Sequence, residues 1–172
     1  FDAALAEAVA AERFNADRPE GRANLGNLYA AQGRPEAAIA AFRSALALDP
    51  SFVEAALNLA DLQRQTGAEA DAERTLRAAL QRDPHSAPVH HALGLALTRQ
   101  QRRDEALRAL AQAARLDPAT PRYAWAHAVA LNDAGQGAQA RRELEQTLKR
   151  HPDDRETLLA LTLLERDAGL RE

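Results

Sequence analysis

Ala45-Leu-Ala-Leu-Asp-Pro50 closes on a dipeptide that returns as Asp83-Pro84 and Asp117-Pro118, and once with histidine ahead of the proline, as His151-Pro152. Consecutive prolines of this set lie 34 residues apart. A single globular core gives its loops no reason to be equally spaced, so the fixed step marks an array of repeated supersecondary units. With each proline placed third from the end of its unit, full units run 19–52, 53–86, 87–120 and 121–154. Residues 1–18 then read as the second helix of an earlier, truncated unit, and 155–172 as the first helix of a fifth. The expectation is one domain, 1–172, with about ten helices if each unit is a helix pair.

Other residues keep the same step. Position eight of each unit is small (Gly26, Ala60, Gly94, Ala128), and so is position twenty (Ala38, Ala72, Ala106, Ala140). Two antiparallel helices approach closely only where side chains are short, and these positions supply that. Position seven is leucine at Leu25, Leu59 and Leu93, and His127 in the fourth unit. Position twenty-four is large (Phe42, Leu76, Leu110, Leu144), and position twenty-seven is small again at Ala45, Ala79 and Ala113, with Thr147 the exception. Glycine stands at position fifteen as Gly33, Gly67, Gly135 and Gly169, with Gln101 in its place in the third unit. That placement suits the left-handed residue that ends a helix. The proline then stops the second helix, because a residue before proline avoids the helical region.

Composition narrows the function classes. The 172 residues are 27% charged with a formal net charge of −3, which argues against the basic face a nucleic-acid partner needs. Lys149 is the single lysine, and arginine and alanine dominate, a bias that fits a GC-rich bacterial genome. Cysteine is absent, which removes disulfides, thiolate metal sites and haem attachment from the candidates. No basic start followed by an apolar stretch suggests a signal peptide. The longest apolar run, Leu158 to Leu164, contains Thr162 and falls well short of the ~20 residues of a membrane span, so no membrane insertion is expected. A start at Phe1 and the lack of methionine point to a piece of a longer protein. The compartment stays open between bacterial cytoplasm and periplasm.

Arg22-Ala-Asn-Leu-Gly-Asn-Leu-Tyr29, followed by Gly33, Ala38, Phe42, Ala45 and Pro50, resembles the tetratricopeptide repeat family, and the resemblance extends over the whole chain. It implies an all-α, right-handed superhelical solenoid of helix-turn-helix repeats whose first helices line a concave groove. The departures are local. Where the family carries an aromatic at position four, this chain has Arg22, Ala56, His90 and Ala124. A second resemblance concerns Phe14-Asn-Ala-Asp-Arg-Pro-Glu-Gly-Arg22, which is similar to bacterial proteins with a multihaem cytochrome region upstream of such repeats. Nothing in this chain could hold those haems.

Motifs for chemistry dissolve in the repeat frame. Gly135-Gln-Gly137-Ala-Gln-Ala140 fits a dinucleotide fingerprint, but that fingerprint must follow a strand and open a βαβ helix. Here Gly135 is an inter-helix glycine and Ala140 a small crossing residue. His90 and His91 are adjacent and diverge by about 100° on a helix, too far apart to converge on zinc. His127 falls on a core position, and His85 and His151 fall in turns between units. Asp153-Asp154 and Asp2 with Glu7 read as helix-end charge favoured by the N-terminal dipole. No enzyme, cofactor or metal site is expected.

What the resemblance implies about function lies in the groove, at positions two, five, six, nine, twelve and thirteen of each first helix. The candidate ligand-binding residues are Asn24, Asn27, Asn58, Asp61, Arg64, His91, Leu95, Arg99, Arg122 and Trp125. Some family members clamp a peptide's C-terminal carboxylates with two asparagines and three basic residues. Asn27 and Asn58 match the asparagines, but Ala23, Pro88 and Ala92 stand at the basic positions, so that chaperone-type clamp is absent. Other members, including the repeats of a sugar transferase, hold an extended peptide on an asparagine ladder. Asn24 and Asn58 would be two rungs, either gripping backbone through an amide that both donates and accepts or contacting only water. Arg64, Arg99 and Arg122 favour acidic character in the ligand. Trp125 either anchors a ligand or turns inward to fill volume beside Ala124. The reading is a scaffold that binds a protein or peptide partner. Its alternative is an assembly domain that associates with itself through its ends, since Leu158, Leu159, Leu161, Leu163 and Leu164 cover several faces of the last helix, whereas a terminal repeat needs a polar outer face.

Overall fold

The computed structural model describes residues 18–169, so the truncated helix expected over 1–18 lies, apart from Arg18, outside the described residues. Among them the chain forms nine helices and no strand: α1 (Pro19–Ala31), α2 (Pro35–Leu48), α3 (Val53–Gln65), α4 (Glu69–Arg82), α5 (Ala87–Arg99), α6 (Arg103–Leu116), α7 (Pro121–Asp133), α8 (Gly137–Arg150) and α9 (Arg155–Gly169). Each 34-residue unit read from the sequence holds one leading and one trailing helix. The chain divides into two compact units, Phe1–Pro84 and His85–Glu172. The described part of the first carries α1–α4, and that of the second carries α5–α9.

Local chemistry sets the ends. Pro19, Pro35 and Pro121 open their helices, where the missing N–H and fixed φ of proline cost nothing. Leading helices stop in a reciprocal pair of hydrogen bonds. The N–H of Gly33 donates to the Ala30 carbonyl (3.0 Å) and that of Arg34 to Tyr29 (2.9 Å). The same pair recurs at Gly67 and Ala68, at Gln101 and Arg102, and at Gly135 and Gln136. The closing residue must take a left-handed backbone, and φ is +69° at Gly33, +81° at Gly67 and +78° at Gly135. Gln101 adopts the same conformation at +60° with a side chain attached, at a cost of about 1–2 kcal/mol that glycine avoids. Gly169 is instead the last residue of α9.

Trailing helices end on the residue before the repeated proline, which leaves the helix with extended or near-extended backbone (Asp49, φ −133°, ψ 98°). The aspartate then organises the turn. Asp49 Oδ1 accepts from the Ser51 hydroxyl (2.6 Å) and backbone N–H (2.8 Å), and these bonds hold its carboxyl below the usual carboxylate range. Asp117 likewise accepts from the Thr120 hydroxyl (2.7 Å) and the Ala119 N–H (3.1 Å). His151 has no carboxylate to offer. There Asp154 takes over, its Oδ2 accepting the Thr157 N–H (2.9 Å) as the N-cap of α9.

Packing in each unit follows from the small and large positions. In the first unit α1 lies on α2, α2 on α3 and α3 on α4, and the leading helices α1 and α3 also touch. Its core gathers Ala23, Ala38, Phe42, Ala45, Ala55, Leu59 and Leu62. In the second unit α5 to α9 pack in sequence, with α5 on α7 and α7 on α9. Ala128, Leu131, Ala140 and Leu144 form a core there that Leu161 and Leu164 of α9 help to cover. The helices meet where position eight faces position twenty-four. A Cβ on Gly26 would stand 2.6 Å from the Phe42 ring, and one on Gly94 would stand 2.6 Å from Leu110 Cγ. Phe42 and Leu110 are buried almost completely and have nowhere to retreat.

Gly94→Ala separates crossing geometry from helix propensity. Propensity alone would favour alanine by about 1 kcal/mol. The overlap with Leu110 outweighs it, and the expected outcome is a net loss of roughly 1–3 kcal/mol in urea denaturation.

Candidate functional site

The leading helices contact one another within each unit, so their residues form a continuous face there. On the first unit's face Asn27 (α1) and Asn58 (α3) meet directly: Asn58 Nδ2 donates to Asn27 Oδ1 at 2.9 Å. The pair joins position nine of one repeat to position six of the next. Each amide keeps part of its capacity: Asn27 its N–H donors, Asn58 its carbonyl. Asn24 is exposed one turn earlier, and its side chain makes no hydrogen bond among the described residues.

Asp61 sits one turn beyond Asn58 and is spoken for within its own helix. Its Oδ1 accepts from Arg64 Nε (3.0 Å) and a terminal guanidinium nitrogen (2.8 Å), and its Oδ2 accepts from Gln65 Nε2 (2.7 Å). An exposed i,i+3 pair of this kind is worth at most about 1 kcal/mol, so a stronger ligand can exchange it. The structure thus brings Asn27 and Asn58 together, and Asp61 with Arg64. It leaves Asn24 apart.

On the second unit's face the candidates differ in exposure. His91 (α5) is 6% exposed and packs obliquely on the Tyr123 ring of α7, with centroids 5.1 Å apart and planes at 49°. Burial, helped by the Arg122 charge, lowers its pKa to about 4, so it is a neutral packing group at pH 7. Leu95 and Trp125 are half-buried, while Arg99, Arg122 and Val129 are exposed. Trp125 is not among the residues that line the cavity beside Ala124. His127 fills a core position and pairs with Glu143 of α8 at 2.8 Å. Tyr123, at position three, carried no sequence signal, because only its meeting with His91 gives it significance. Among the described residues no group of His, Asp and Glu gathers as metal ligands, and no helix is long and apolar enough to cross a membrane.

Sequence profiles described as tetratricopeptide repeat match residues 29–95 and 70–131, and a second such profile matches 1–51. The chain belongs to the tetratricopeptide repeat family. Among curated proteins none matches it significantly. Solved structures of similar fold include MamA, with a TM-score of 0.72 and 24% identity over 86% of this chain and 86% of that one. YrrB matches at a TM-score of 0.72 and 19% identity over 96% and 85% of the two chains. The pilF protein of Pseudomonas aeruginosa matches at 0.74 and 26% identity over 87% and 68%. This TPR fold is that of a protein–protein interaction scaffold.

His91 gives the TPR fold a pH signature. An unfolded histidine titrates near 6.5 and the folded one near 4. The unfolded chain therefore binds more protons between these values, and stability rises with pH across the window. It is full above about 6.5 and falls progressively as the pH drops toward 4. Thermal midpoints from pH 7 to 4 should fall less steeply in His91→Gln than in the parent chain.

Proposed function

We propose that the chain is a non-catalytic scaffold whose leading-helix faces bind an extended segment of a partner protein. The observation that carries this reading is the Asn27–Asn58 pair, two amides fixed at 2.9 Å on an exposed face. A peptide backbone offers one donor and one acceptor per residue. The N–H groups left on Asn27 and the carbonyl left on Asn58 can take both at once. Asn24 extends the polar row on α1, and Asp61 with Arg64 extends it on α3. On the second unit's face Leu95, Trp125 and Val129 offer apolar contact, and Arg99 and Arg122 favour acidic side chains. YrrB, a TPR protein of the same fold, has an unusual peptide-binding site, which supports the class without naming a ligand.

Selection of random peptides by display on the folded chain tests the reading. Selected peptides should shift Trp125 fluorescence, and Asn58→Ala should weaken them about tenfold, or 1.4 kcal/mol. Peptides that bind Asn58→Ala as tightly as the parent chain would sink the proposal.

A second reading rests on α9. Leu158, Leu159 and Leu163 are 43%, 60% and 40% exposed along this helix, an unusual density of bare leucine. In this reading the chain is an assembly domain that associates with itself through that face. Sedimentation should then show mass rising with concentration, and Leu159→Glu with Leu163→Glu should return it to the monomer. A parent chain that stays monomeric at every concentration would rule this out.

A further inference from the structure

Each compact unit holds a cavity between its trailing helices. In the first unit it measures about 360 Å³ among α2, α3 and α4, and in the second about 380 Å³ among α6, α7 and α8. The two are one feature repeated. Ala56, Arg74 and Arg82 line the first, and Ala124, Arg142 and Arg150 line the second, each pair two repeats apart. Among the described residues α2 does not pack on α4, nor α6 on α8. Whatever stands at position four of the helix beneath must fill the space between them, and alanine does not.

The two cavities differ in lining. The second receives the His127–Glu143 pair, a carboxylate that opposes an anion. The first has Leu59 and Thr75 at those positions. Its floor is Leu46, Ala56, Leu59 and Ala79, and its rim carries Arg43, Arg74 and Arg82 against one carboxylate, Asp71, which pairs with Arg74. Gln63, 3% exposed, also lines it. The Thr75 hydroxyl donates to Gln63 Oε1 at 2.9 Å, which fixes the amide and leaves its N–H groups as donors.

We propose that the first unit's cavity is a binding site for an aromatic carboxylate, its ring on the apolar floor and its carboxylate on Arg43 and Arg82. The volume lies within the range of ligand pockets. Guanidinium groups both donate hydrogen bonds to carboxylates and lie over aromatic rings, as Arg34 does over Tyr29 in this chain, 4.6 Å from the ring centre. The buried Gln63 amide orients the ligand from below. The site is separate from the leading-helix faces and does not depend on what they bind. The same chemistry occurs at a partner's C-terminal aromatic residue and in a free aromatic acid.

The test is an NMR titration of the full chain, labelled with ¹⁵N, using N-acetyl-Ala-Phe, its C-terminal amide, and 3-phenylpropionate. Saturable shifts of the Gln63 side-chain amide and the Thr75 amide are expected with at least one of the two acids. The C-terminal amide should bind about tenfold more weakly, having lost the charge-assisted contact. Tighter binding of the peptide acid assigns the site to a partner's chain end, and tighter binding of 3-phenylpropionate assigns it to a free acid. Ala56→Phe should abolish the shifts, and Ala124→Phe should leave them intact. Arg82→Gln, an exposed change that spares the core, should weaken binding about tenfold and decides the matter if Ala56→Phe does not fold. No saturable shift at millimolar concentration, equal binding of acid and amide, or shifts that survive both Ala56→Phe and Arg82→Gln would overturn the proposal.

Discussion

The distance of closest approach between paired helices governs this structure. At Gly26 against Phe42, and at Gly94 against Leu110, there is no room for one further carbon. At these two crossings a large side chain from the trailing helix therefore lies on bare backbone of the leading one. Burying a side chain such as Phe42 is worth about 1.5–3 kcal/mol. It is also directional: with one helix pressed so close, the neighbouring residues on its outer surface fall into a set register. Asn27 lies one residue past Gly26, and its meeting with Asn58 depends on that register.

Much of this was legible in the sequence because it repeats. A 34-residue step converts single residues into columns, and a column of small residues facing a column of large ones specifies a crossing. The turns were legible for the same reason, glycine for one kind and Asp-Pro for the other. The role of the aspartate carboxylate was not, because its hydrogen bonds to Ser51 and Thr120 depend on the φ and ψ of the turn. Asp154 shows the same limit: its sequence suggested only helix-end charge, whereas it caps the backbone of α9.

The face itself was half legible. Position numbers grouped Asn27, Asn58, Asp61 and Arg64 as one side, and among them the structure pairs Asn58 with Asn27 and Arg64 with Asp61. They did not reveal that Asn58 reaches position nine of the preceding repeat, since a sequence column compares like with like and this contact crosses columns. His91 sat in the same set of positions, yet it is buried under Tyr123. Exposure depends on the neighbour's side chain as much as on register. The alanines at position four were visible as departures, and only the packing of the trailing helices shows that they leave space.

In a linear array, stability is close to a sum of terms belonging to each repeat and to its contact with the next. A local defect is not averaged over the molecule. Gln101 is such a defect, the one described non-glycine residue with a left-handed backbone, and it sits in the turn that joins α5 to α6. The free energy stored in that turn is released when its two closing hydrogen bonds break. Sub-global opening of the second unit should therefore begin there, ahead of the glycine-closed turn between α7 and α8. A chain built from near-identical links has, through one side chain, a preferred place to come undone.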